Sequence, residues 1–171
     1  MATKRITRRA SRLSQVAPDR PATPADAEVI LRLYELRREN EMRKARNFIL
    51  QDFWPENVED VLRIARAYPS PENAWFRQVT TYWDMAAALV LRGAVHEGLF
   101  FDCAGEMWVV FAKLRPYLNE LRERLPKSLI HVERLAMKTE EGRARLERLE
   151  KIQKRYIAKR AKMTAAAAGN S

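Results

Sequence analysis

Between residues 22 and 139 the apolar side chains recur at three- and four-residue steps rather than alternating, which marks helices and not strands. The same stretch holds only three glycines, Gly93, Gly98 and Gly105, and no Asn-Gly or Asp-Gly pair that would turn a hairpin. An all-α fold follows: a compact orthogonal or bundle-like domain of six or seven helices, with long first and last members. The 171 residues suit one domain with tails. The longest unbroken apolar run, residues 85–91, falls far short of the roughly 18–20 residues that cross a bilayer. One cysteine, Cys103, cannot close an internal disulfide, so nothing points to an oxidising compartment.

Charge divides the chain differently from hydrophobicity. The formal net charge is +10. Residues 1–21 carry six basic side chains (Lys4, Arg5, Arg8, Arg9, Arg12 and Arg20) against Asp19 alone. Residues 140–171 carry nine basic and four acidic ones, and the stretch between is balanced at 17 of each. All the aromatic residues except Tyr156 lie in that neutral middle. Folding and basicity are thus assigned to different parts of the molecule. Residues 1–21 have no apolar face and read as a disordered basic arm. No apolar h-region follows their positive charges, so a secretory signal is not expected. Residues 22–139 read as the neutral core domain, 140–163 as a basic helix, and 164–171 as a disordered tail.

Helix punctuation gives the internal boundaries. Thr23 is an N-cap, with Pro24 at the first helical position and Asp26 in the first turn. This helix is expected to run to about Asp52, roughly 42 Å. Val29, Ile30 and Leu33 form one apolar patch on it, and Met42, Ala45, Ile49 and Phe53 a second, with Glu39 and Arg43 pairing at i,i+4. Asn57 caps a second helix over 58–67. Ser70 opens a third, the central core helix, carrying Phe76, Val79, Trp83, Ala86 and Val90 on one side and ending at Gly93 as a left-handed C-cap. Asp102 is the expected N-cap of a helix over 103–115, with Glu106 near its positive end. The C-terminal helix carries a narrow stripe, Leu146, Leu149, Ile152 and Tyr156, that could dock on the domain.

Chemistry is sparse. His96 and His131 belong to no metal-ligand spacing, so no metal and no cofactor are expected. The glycines match no phosphate-binding loop. Cys103 at a helix N-terminus with His96 seven residues away is the best case for a nucleophile. The plainer reading is a small thiol packed as a hydrophobe. Asp84 resists a local explanation, because it shares a stripe of the central helix with Arg77 and Thr81. A buried Arg77–Asp84 pair is the expected account, and a polar site there the alternative.

The segment Tyr82-Trp83-Asp84-Met85-Ala86-Ala87, followed by Gly93-Ala94, Leu99-Phe100-Phe101-Asp102 and Gly105-Glu106-Met107, carries a resemblance. With Leu33-Tyr34-Glu35-Leu36-Arg37-Arg38 upstream, it resembles a family of small bacterial helical proteins of unknown function. The resemblance covers about residues 26–150. It implies a compact cytoplasmic helical domain and supplies no catalytic residues.

The functional expectation rests on the tails. Lys4, Arg5, Arg8, Arg9 and Arg12, with Arg148, Lys151, Lys154, Arg155, Lys159, Arg160 and Lys162, would contact an anionic partner such as nucleic acid or a ribonucleoprotein. A purely solubilising role for the basic helix is the plain alternative. A self-associating homo-oligomeric scaffold built on the long first helix, or an enzyme with a site near Asp84, are the competing functions.

Overall fold

Thr23 opens the first helix, α1 (Pro24–Arg38), with a reciprocal capping box: its hydroxyl accepts from the Asp26 amide, and the Asp26 carboxylate accepts from the Thr23 amide. The structure, a computed structural model, describes residues 20–168, with side chains to residue 163. Arg20 clamps Asp26 through two guanidinium bonds of 2.5 and 2.6 Å. Asp26, only 2% exposed, also accepts from the His96 amide at 2.8 Å. The Arg20 bonds first, then those from Thr23, hold its carboxyl far below the usual carboxylate range.

The long first helix expected to reach Asp52 is divided. Glu39 leaves the helical region at φ −58°, ψ 145°, and its carboxylate accepts from the Met42 amide, capping α2 (Asn40–Asn47) instead of pairing with Arg43. The cause is geometric. Leu33 and Met42 are nine residues apart, two and a half turns, so a straight helix would place them on opposite faces. Both are buried, at 7% and 3% exposure, and only a break lets both reach the core. A π-helical turn (Phe48–Asp52) carries Ile49 into the core and ends at Phe53.

Helix α3 (Val58–Arg66) is capped by Asn57, and α4 (Pro71–Leu91) by Ser70, both as expected. The Asn73 amide, in the first turn of α4, donates to the Ile64 and Ala65 carbonyls at 3.0 and 2.8 Å and so closes the end of α3. Helix α4 is the core helix, with Phe76, Val79, Trp83, Ala86, Ala87 and Val90 buried. Gly93, at φ 73°, ends it with the paired bonds Gly93 N–H to Val90 and Ala94 N–H to Leu89, the left-handed arrangement expected from its sequence.

The next expectation fails in detail. The His96 ring accepts from the Leu99 amide and caps α5 (Glu97–Cys103), so Asp102 lies in the last turn of that helix and caps nothing. Cys103 is exposed at a helix C-terminal end, which removes the argument for an activated thiol. After Ala104, α6 (Gly105–Leu114) begins, followed by a 3₁₀ turn (Arg115–Tyr117), α7 (Leu118–Arg124), α8 (Ile130–Ala136) and α9 (Glu140–Ala168). The division at Glu39, with α5 as a separate short helix, takes the helix number among the described residues beyond the six or seven expected. Among the described residues there is no strand, and no helix long and apolar enough to cross a membrane.

Helices α2, α3 and α8 pack on α4, and α9 packs on α6 and α8. The start of α9 comes so close to α8 that a Cβ on Gly142 would stand 2.2 Å from the Ala136 carbonyl oxygen. Leu146 is fully buried, and the Gln153 amide donates to the Val109 carbonyl at 3.0 Å. Ile152, expected in the docking stripe, is 58% exposed. Gln153 takes its place because the docked face follows the steps 146, 149, 153, 156.

Candidate functional site

Residues 151–163 contain six basic side chains and no acidic one. Arg148, Lys151, Lys154, Arg155, Lys159, Arg160 and Lys162 are all exposed on α9. The helix is anchored upstream by Leu146, by the 2.8 Å Arg115–Glu150 ion pair, and by Arg145 stacked 4.7 Å from the Trp108 ring centre. Tyr156 stacks on Trp54 at 4.2 Å between ring centres. Beyond half-buried Ile157, residues 158–163 are exposed throughout. A surface of this kind attracts phosphate oxygens through charge alone. The arm residues Lys4, Arg5, Arg8, Arg9 and Arg12 lie outside the described residues.

Lys113 stands behind the Trp54–Tyr156 stack, a feature the sequence reading missed. Only 4% exposed, it donates from Nζ to the Ile49 carbonyl at 2.6 Å and the Phe53 carbonyl at 2.9 Å, and lies 3.6 Å from the Trp54 ring centre. It therefore caps the buried carbonyls at the C-terminal end of the π-helical turn. Burial, with a smaller contribution from the charge of Arg160, pushes its pKa down to about 7. The signal was present in the sequence: Lys113 is the only charge within residues 107–114.

Asp84 and Arg77 are not brought together. Arg77 is exposed and makes no ion pair among the described residues. The Asp84 carboxylate turns to α8, accepting from the His131 and Val132 amides at 2.8 and 3.1 Å and meeting the His131 Nδ1 at 2.8 Å. An ionised carboxylate only accepts, so Nδ1 is the protonated ring nitrogen. Helix α8 needs this help because Leu129, at its N-cap in the left-handed region (φ 50°), has no side-chain acceptor. Asp84→Ala is expected to cost about 2–3 kcal/mol by orphaning these donors, whereas Arg77→Ala stays within about 0.5 kcal/mol. Urea unfolding of both variants checks this, and equal losses would restore an Arg77–Asp84 link.

A second charged cluster ties the first helices to α6. The Glu106 carboxylate, with 7% of the side chain exposed, accepts from Arg37 at 3.0 Å and from Arg46 at 2.6 and 2.8 Å. Arg37 also lies over the Trp83 ring at 5.1 Å. Nearby, burial pushes the Tyr82 phenol up to about 12, and its hydroxyl donates to the Leu33 carbonyl at 2.8 Å. Among the described residues no His, Cys, Asp and Glu cluster could hold a metal ion.

No curated protein and no solved structure matches the chain. Residues 22–139 match a family described as "Domain of unknown function (DUF4760)". That range takes in α1 to α8 and stops before α9. The chain therefore belongs to the DUF4760 family, with the basic helix as an extension packed onto the family domain.

Proposed function

We propose that this protein is a non-enzymatic interaction module that contacts a polyanion, RNA or DNA or a ribonucleoprotein, through the exposed basic side of α9. The observation that carries it is the run of six exposed cations without an acid over residues 151–163. Its helix is already fixed to the core through Leu146 and Gln153. Ordering the cations in advance lowers the entropic cost of binding. The arm cations Lys4, Arg5, Arg8, Arg9 and Arg12 would add to the same attraction.

Filter binding of single- and double-stranded RNA and DNA to the full chain tests the reading. If about five phosphates are neutralised, log K should fall against log salt with a slope near −4. Changing Lys154, Arg155, Lys159 and Lys162 to Gln should flatten that slope and leave the Tm in place, since all four are exposed. No binding at low salt, or salt-independent affinity, sinks the proposal.

Self-association is a second reading, and it rests on α1. Leu31, Tyr34 and Leu36 are 63%, 53% and 48% exposed there. Sedimentation should then show a dimer that Leu31→Glu dissolves, and a monomer at high concentration counts against it. An enzyme with a site near Asp84 is the reading we favour least, because that carboxylate already accepts from the α8 amides and meets the His131 ring.

A further inference from the structure

Three of the large apolar side chains left exposed on the domain, Tyr68 at 77%, Met85 at 46% and Leu125 at 41%, border one open groove. It lies between the outer side of α4 and the 124–131 turn, with a volume of about 910 Å³. That is at the upper end of the size that takes a single small molecule.

The charges around it are unbalanced. Arg77, Arg124 and Lys127 line the groove, all exposed, and none has an ion-pair partner among the described residues. Asp84 is the one carboxylate in the lining, and its two oxygens are already taken by the α8 amides and the His131 ring. The smaller groove beside α1, of about 350 Å³, behaves differently: its cation, Arg37, is already neutralised by Glu106. Uncompensated cations at the rim of an apolar cleft focus field and raise the local concentration of anions. An apolar floor, in turn, rejects a ligand that is all charge. The two demands meet in one chemical class.

We propose that this groove binds an amphipathic anion: an apolar chain or ring, the size of a medium-chain fatty acid, ending in one carboxylate or phosphate head. The apolar body lies against Met85 and Leu125, and the head is met by Arg77, Arg124 and Lys127. This site is separate from the basic side of α9 and does not depend on it.

Calorimetric titration of the full-length protein with decanoate, decyl phosphate and uncharged 1-decanol, each below its aggregation limit, tests the proposal. Saturable binding of at least one anion is expected, with 1-decanol at least about tenfold weaker. The tighter of the two anions identifies the head group. The triple variant Arg77→Ala, Arg124→Ala, Lys127→Ala should weaken the anion about tenfold or more with its Tm unchanged, because all three side chains are exposed. Leu125→Gln should weaken decanoate and 1-decanol alike. The α9 variant with Lys154, Arg155, Lys159 and Lys162 changed to Gln should bind as the parent does, which separates this site from the polyanion surface. Failure of both anions to saturate by about 1 mM, equal affinity for 1-decanol, or an unaffected triple variant each overturns it.

Discussion

Glu106→Ala is expected to lower folding stability by about 3–5 kcal/mol, the cost of breaking a buried ion cluster by removing one partner. For a chain of this size that is a fall in Tm of about 6–20 °C. The Glu106 carboxylate is the single acceptor on which Arg37 and Arg46 converge, and the two cations are only 13% and 25% exposed at the side chain. Arg46 donates in addition to the Arg37 carbonyl at 3.1 Å, and its pKa is held above its ordinary value chiefly by the bond to Glu106. With alanine at 106, two guanidiniums would face each other in an apolar corner beside Trp83 with nothing between them. Glu106→Gln keeps an acceptor but not the charge, so its loss should fall between the parent and the alanine variant. Thermal and urea unfolding measure both. A loss below about 1 kcal/mol for Glu106→Ala would mean that solvent screens the cluster, as it does surface pairs.

Raising the pH from 7 to 10 should stabilise the protein through Lys113. Burial lowers its folded-state pKa to about 7, against 10.5 for the ordinary side chain. Between those values the unfolded chain holds a proton that the folded chain has released. The unfolded state therefore binds more protons, and a rising pH shifts the balance toward the fold. The charged form suffers this penalty in full below pH 7, and the penalty is relieved as pH approaches 10. The shift corresponds to a gain of up to about 4 kcal/mol. The Ile49 and Phe53 carbonyls and the Trp54 ring all favour the ammonium, which brings the expected rise to about 2–4 kcal/mol. The window closes near pH 10, because Tyr82, raised to about 12, then begins to act in the opposite sense. The readout is the stability difference between the parent and Lys113→Met across pH 7 to 10. A difference that stays constant would show that Lys113 titrates alike in both states.

The helical class, the caps at Thr23, Asn57 and Ser70 and the left-handed stop at Gly93 were legible because each is written within four residues of where it acts. The features missed act at a distance. Asp84 caps a helix 47 residues downstream, and Glu106 collects arginines 60 and 69 positions upstream. No local pattern encodes such partners. The break at Glu39 is an intermediate case, since the half-turn offset between Leu33 and Met42 could have been read from their spacing alone. Gln153 and Ile152 make the opposite point: helix angle, not hydrophobicity, decided which of them docks. The exposure of the seven α9 cations follows directly from their sequence. The start of α9, however, belongs to the core, so removing residues 140–171 would uncover Leu146's cavity. A truncation that spares the docked part of α9 has to begin beyond Ile157, and it removes only Lys159, Arg160 and Lys162 of those cations, so substitution rather than deletion separates the charge from the fold.

The dependence of α8 on Asp84 also makes its helical form conditional on a distant partner. At seven residues, α8 is too short to persist alone in water. Its opening amides find their acceptor only by closing a loop of 47 residues, at an entropic cost of about 3 kcal/mol. The burial of Val132, Leu135 and Ala136 adds to the Asp84 bonds in meeting that cost, so α8 keeps its helical form only while it is docked.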